Sequence, residues 1–315
     1  MKLASIALFA FNRPEHLSRT VQALRTCPLA SDSELYLFVD GPRHTADRSK
    51  VEQVRAVGHA ITGFKRVQVQ ERQENHGLAR SVIAGVTAVS KRHGRVIVLE
   101  DDLVVARGFL SFMNEALRRF DEEPRVMQVS GYMFPIADAG AEGSTMLSRV
   151  PASWGWGTWD RAWRHFEGDS DRLLALLRDE QTRHEFDLQG AYPYYAQLQS
   201  HARGQLDVWG VRWYASMFVK SGLCLYPAQS LVQNIGMDGS GLHCGSSQAF
   251  DVSLSLHEAW QFPDRIEESQ EALAQIREFL QQRGTIKKEQ KEQGARVGTW
   301  STAGLLKRLA KTRFT

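Results

Sequence analysis

Short apolar runs alternate with segments of helical period through the first 130 positions of the chain. Residues 3–11, 34–39, 66–71 and 96–100 read as strands, and residues 14–25, 47–59, 77–93 and 108–119 as helices; a further strand is expected at 126–130. The opening run 3–11 has the hydropathy of a signal segment. It is short, however, with Lys2 alone before it, and it enters Asn12-Arg13-Pro14 without a small-residue cleavage pattern, so it reads as a first buried strand. Strands alternating with helices predict an α/β fold, a mostly parallel sheet with helices on both faces. Ligands of such sheets bind beyond the carboxyl ends of the strands. There the pattern places Phe11, Asn12 and Arg13, then Asp40-Gly41, then Glu100-Asp101-Asp102.

The last of these is the most informative. Val96-Ile97-Val98-Leu99 is a buried-strand sequence that stops on three consecutive carboxylates. Like charges at one strand end repel, and a divalent cation among them relieves the repulsion. If the strand stays extended, Glu100 and Asp102 share a face as an acid-x-acid clamp and Asp101 points away. A helix cap would need one acid, not three.

Beyond residue 125 the pattern becomes irregular. Six of the eight tryptophans fall between Trp154 and Trp213, and Ser153-Trp154-Gly155-Trp156-Gly157-Thr158-Trp159 sets glycines between the rings. A packed strand or helix would avoid that spacing, whereas flat rings beside polar groups suit sugars. Asp264 and Glu267 look like a capping pair for a helix with Ile266, Leu273, Ile276 and Leu280 on one stripe. Residues 1–262 are therefore expected to form the main domain, with 1–130 and 131–262 as its halves, 263–282 as a packing helix, and 283–315 as a polar linker and basic amphipathic tail. That tail fits an anionic membrane surface and equally a solvated terminus.

Composition adds limits. A net charge of +3 over 315 residues argues against a nucleic-acid binder. Cys27, Cys224 and Cys244 lack Cys-x-x-Cys spacing, which argues against a disulfide framework or zinc site and fits the reducing cytoplasm. No run reaches the roughly 18 apolar residues of a spanning helix, so any membrane contact is expected to be peripheral, on the inner face of the cytoplasmic membrane.

Phe11-Asn12-Arg13-Pro14, Val39-Asp40-Gly41, Glu74-Asn75-His76-Gly77-Leu78-Ala79-Arg80 and the Glu-Asp-Asp strand end together resemble bacterial family-2-type glycosyltransferases of GT-A fold. Residues 98–106 are also similar to the metal motif of the N-acetylglucosaminyltransferase I family, inverting enzymes that use UDP-GlcNAc and manganese. The resemblance implies Asp40 at the nucleotide base, Arg13 at base or phosphate, Asp101 near the ribose and Asp102 on Mn²⁺ or Mg²⁺. Phe11, Asn12, Asn75, Gly77, Arg80 and Glu100 then complete the donor site. Asp207, within a Trp-flanked segment, is the implied base, its pKa raised by partial burial against rings; Val208 stands where the family has a second acid, and Asp160 is the reserve. His243, in the Gly-rich loop 234–245, is a second metal ligand or phosphate contact, and Trp154, Trp156 and Trp209 are acceptor contacts. The expected activity is transfer of a sugar from a nucleotide-sugar, UDP-linked by preference, to a glycan or lipid-linked glycan of the cell surface such as lipopolysaccharide, O-antigen or exopolysaccharide. A nucleotidyltransferase making the nucleotide-sugar is the alternative, although Asn12-Arg13-Pro14 replaces the Gly-rich phosphate loop usual after its first strand. A non-catalytic glycan-binding protein of the same fold is the third reading.

Overall fold

The computed structural model describes residues 2–137, 140–239 and 248–283. His243, the second half of the Gly-rich loop and the tail beyond 283 lie outside the described residues. In chain order the first half comprises β1 (Ser5–Ala10), α1 (Pro14–Arg25), β2 (Glu34–Val39), α2 (Arg48–His59), β3 (Arg66–Glu71), α3 (Leu78–His93), β4 (Arg95–Glu100), β5 (Leu103–Val105), α4 (Phe109–Arg119) and β6 (Val126–Ser130). The expected strand–helix alternation is present, with ends shifted by one or two residues. Pro14 opens α1 at a position where its missing N–H costs nothing, and Gly94 closes α3 in the left-handed conformation.

The second half supplies β7 (Thr145–Ser148), β8 (Trp156–Trp159), α5 (Asp160–Trp163), α6 (Ser170–Leu176), α7 (Glu180–Phe186), α8 (Tyr194–Ala202), α9 (Gly210–Phe218), β9 (Leu223–Pro227) and β10 (Val232–Asn234). Eight strands form one sheet in the order β3-β2-β1-β4-β8-β6-β9-β7, while β10 pairs with β5 in a separate antiparallel ribbon. β8 and β7 run against the other six. Both faces are covered, and consecutive residues of β2 show it. Leu37 lies under Gly58 of α2, whereas Phe38, stacked on Phe9, lies under Gly85 of α3. All six residues of β1 are buried, which is why its sequence is continuously apolar.

Two expectations are corrected. The glycine-separated tryptophans form β8, a buried strand in the middle of the sheet. Glycine is used there because α4 lies directly on the strand: a Cβ at Gly157 would stand 2.8 Å from Met113 and 3.1 Å from the Val96 carbonyl. The C-terminal helix begins at 270, not at Asp264. Ser269 caps it, with Oγ accepting from the Ala272 N–H at 3.2 Å, while Asp264 is exposed and pairs loosely with Arg119. A multidentate Arg149–Glu268 pair fixes the approach to this helix, and Ile276 and Leu280 pack on Val150, Leu188 and Ala191.

The close α4–β8 contact yields a test. Gly157→Ala is expected to lower stability by about 1–3 kcal/mol through overpacking, seen as a lower urea midpoint at unchanged slope. A variant as stable as the parent would show that α4 does not sit this close.

Candidate functional site

The carboxyl ends of β1, β2 and β4 converge on one edge of the sheet. β4 ends at Glu100, and Asp101 and Asp102 form a turn before β5, so the extended alternation expected through Asp102 stops two residues short. Asp101 instead bends back on β1. Its Oδ2 accepts the Phe11 N–H at 3.1 Å, and its carbonyl accepts the Thr20 hydroxyl at 2.7 Å. Asp102 faces α1: Oδ2 accepts from Arg13 Nη1 at 2.9 Å, while Oδ1 is buried with no hydrogen-bond partner among the described residues.

The ribbon of β5 and β10 covers this turn. The Ile235 N–H donates to the Asp102 carbonyl at 2.8 Å, and Arg13 Nη2 donates to the Gly236 carbonyl at 3.4 Å. Any Cβ at position 236 would overlap the Asp102 carboxylate, so glycine is required by the close approach. His16, one turn along α1 from Arg13, lies 3.2 Å from Asp238 and adds to the positive potential around Asp102 when protonated. The i, i+3 spacing of Arg13 and His16 is the sequence signal for that residue.

Burial dominates the electrostatics. It raises Glu100 well above the usual carboxylate range, with Asp102 and then Asp101 adding to the shift. Asp101 is pushed up to about 7, by burial first and the Asp102 charge second. Asp102 is raised by burial against the opposing pull of Arg13. One guanidinium therefore faces three acids. Among the described residues no group of three or more His, Cys, Asp or Glu side chains is arranged to cage a metal alone. The donor set suits instead an oxygen-ligated cation that takes one or two carboxylates and completes its shell from phosphate and water. The unpaired Asp102 Oδ1 is the fitting ligand atom.

At the end of β2, Asp40 is buried and accepts three backbone N–H groups. Those of Gly41 and His76 meet Oδ1 at 3.0 and 2.9 Å, and that of Gly77 meets Oδ2 at 2.9 Å. Asn75 Nδ2 donates to the Gly41 carbonyl at 2.8 Å. The segment expected to contact the nucleotide base is thus a clamp that ties the loop before α3 to the end of β2. Asn12 Nδ2 donates to Asp47 rather than toward the acids, and Arg43 stacks over Phe11 at 5.0 Å. Arg43, His44, Arg48, Gln73 and Asn75 line a polar cleft of about 630 Å³ beside the clamp. Arg80 is exposed on the first turn of α3.

Asp207 precedes α9, and its Oδ2 lies 3.4 Å from where a Cβ of Gly77 would be. The base candidate and the donor loop are therefore neighbours. Asp207 is exposed, so the expected burial against aromatic rings is not present. Asp160 is displaced from the site altogether. Because β8 runs antiparallel to β4 with Trp159 opposite Arg95, Asp160 sits at the amino end of β4, about 17 Å along the strand from Glu100. There it pairs with Arg164 at 3.1 Å. Trp156 is 1% exposed and stacks on Trp209 at 5.0 Å, so its ring faces protein, not a ligand. Trp154 and Trp209 instead line an aromatic cavity of about 220 Å³.

No family model matches the chain. A stretch of 139 residues, 42% of the chain, is 24% identical to an α-1,3-mannosyl-glycoprotein 2-β-N-acetylglucosaminyltransferase of Arabidopsis thaliana, and it spans 31% of that relative's length. Among solved structures, the mannosyltransferase PcManGT of Pyrobaculum calidifontis, in complex with GDP-Man and Mn²⁺, aligns over 70% of this chain and 69% of its own at 9% identity and a TM-score of 0.40. S. aureus TarS residues 1–349 align over 72% of this chain and 59% of theirs at 10% identity and a TM-score of 0.39.

Two measurements check this geometry. Folding favours the neutral form of Asp101, so its contribution to stability is full below about pH 4 and fades as the pH rises through about 7. In chelator-containing buffer the urea midpoint should therefore fall over that range, and Asp101→Asn should flatten the fall; parallel profiles would contradict the buried placement. Asp40→Ala leaves three amides without their acceptor. The expected cost is about 2–4 kcal/mol, with hydrogen exchange faster at His76 and Gly77 than elsewhere in the sheet.

Proposed function

We propose that this chain is a metal-dependent, inverting glycosyltransferase of GT-A type that moves a sugar from a nucleotide-sugar donor onto a glycan acceptor. The observation that carries the reading is the Asp102 carboxylate. One oxygen is held by Arg13 and the other is buried and unpaired, at the edge of the sheet where α/β folds bind ligands. A bound Mn²⁺ or Mg²⁺ would neutralise the charge that develops on a departing nucleoside diphosphate. Arg13 orients the Asp102 carboxylate toward that position and adds a positive charge beside it. The loop 74–77, pinned by Asp40, forms the neighbouring wall for the donor. Asp207 lies across Gly77 from that wall, and its exposure leaves it open to take the proton from an incoming acceptor hydroxyl.

The activity of the Arabidopsis relative supports UDP-GlcNAc as the first donor to test. In this reading residues 1–130 carry the donor side and 131–262 the acceptor side, and 263–282 pack against them. The acceptor is a growing cell-surface glycan, and the basic tail beyond 283 meets an anionic membrane surface. No helix among the described residues is long and apolar enough to cross a membrane.

The test is release of nucleoside diphosphate from UDP-sugars in the presence of Mn²⁺. Asp102→Ala should lose at least about 100-fold in turnover, and Asp207→Asn a comparable factor with UDP affinity retained. Undiminished turnover in Asp102→Ala would remove the proposal, and pyrophosphate as the product would replace it with nucleotidyl transfer.

A further inference from the structure

We propose that the aromatic cavity between residues 151–154, which precede β8, the helices α8 and α9, and the C-terminal helix is a subsite for a single pyranose ring of the acceptor, with the Tyr194 hydroxyl as its specificity-determining contact. The proposal rests on the transferase reading for the word acceptor, but the cavity is argued from its own walls. Tyr132, Trp154, Tyr194, Trp209 and Phe250 surround it, and Leu280 closes one side. At about 220 Å³ it is smaller than the ~300–1,000 Å³ of drug-sized ligand sites, a space for one ring and not a chain.

The polar atoms on these walls distinguish the cavity from an ordinary aromatic core. Buried Trp N–H and Tyr O–H groups ordinarily find a hydrogen-bond partner. Nearby rings obey that rule: Trp159 Nε1 donates to the Leu117 carbonyl, Trp163 Nε1 to Thr87, Trp213 Nε1 to Gln128, and the Tyr214 hydroxyl to the Phe186 carbonyl. The Tyr194 hydroxyl and the indole N–H groups of Trp154 and Trp209 make no hydrogen bond among the described residues and are not among the buried atoms left without a partner, so they open on the accessible space of the cavity. Apolar ring faces set beside unspent donors match a pyranose, which presents C–H faces for packing and equatorial hydroxyls for hydrogen bonding. A lipid chain would leave those donors unpaired in an apolar site, at a cost of ~1–3 kcal/mol each.

Position connects the cavity to the reaction. In the β4–β8 register Val98 stands opposite Trp156, the first residue of β8, so the bend at Trp154 and Gly155 that precedes the strand lies toward the carboxyl end of β4. Trp209 is two residues from Asp207. A ring held in the cavity therefore lies on the side of the site from which Asp207 is reached. Leu280 belongs to the C-terminal helix, so that helix forms part of the acceptor wall as well as a packing element.

The experiment is saturation-transfer NMR of the full-length protein with methyl glycosides of the common hexoses and N-acetylhexosamines, alongside calorimetry of UDP with Mn²⁺. At least one glycoside should receive saturation on its ring protons. Tyr194→Phe, which removes a hydroxyl and little volume, should weaken that glycoside about tenfold and leave UDP affinity and thermal stability unchanged. Trp154→Phe serves as a second variant that keeps an aromatic wall but deletes an N–H, and it too should weaken the glycoside. Equal glycoside binding by parent and both variants, or no glycoside signal while UDP binds, would overturn the assignment. Glycoside binding that responds to the variants, with no UDP binding, would support the cavity and remove the transferase reading.

Discussion

Three carboxylates share the end of one buried strand with a single guanidinium, and the arrangement of the site follows from that imbalance. Arg13 neutralises one acid at most, so Glu100 and Asp101 are held toward their neutral forms by the same burial that keeps β4 in the core. A cation from solution relieves the strain more fully than proton uptake, since it meets the charge without giving up ligand oxygens. The fold contributes by denying Asp102 a second internal partner. Several other polar groups around the turn are bonded: Asp101 to the Phe11 amide, the Asp102 carbonyl to the Ile235 amide, Asn12 to Asp47.

The parallel half of the molecule was legible in the sequence because its signal is local. A strand buried on both faces must be continuously apolar, and a helix over it must repeat every three to four residues. Those constraints placed β1 to β4 and α1 to α3 nearly to the residue, and with them the convergence of Arg13, Asp40 and Glu100 to Asp102. What the sequence withheld is direction and environment. Nothing local says that β8 inserts antiparallel between β4 and β6, and this reversal alone carries Asp160 to the wrong end of the sheet. Nor does local sequence tell whether a glycine beside a tryptophan loosens a loop or admits a helix. Gly157 admits α4, and Trp156 is consequently buried.

Asp40 shows the same limit within the site. Its position after β2 was readable, but two of the three backbone amides that occupy it come from a loop more than thirty residues away. The edge that carries the carboxylates is thus built from rigid strand ends cross-tied by backbone bonds, and the helical insertion from short helices α6 to α9 around Phe186, Leu198 and Tyr214. Variation in the helical insertion can alter what enters the aromatic cavity while the carboxylate turn keeps its geometry. That division places tolerance to change on the side of the molecule where ligands of different shape must be told apart.

The cover over the carboxylate turn sets an order of events during synthesis. Arg13 bonds to Gly236 across 223 residues of chain. At typical elongation speeds the segment that closes the turn leaves the ribosome on the order of ten seconds after the acids themselves. Until that segment is made, the acids lack the cover that Ile235 and Gly236 give the turn in the folded chain. Synthesis of the acidic strand end and its enclosure are consequently separate steps in time.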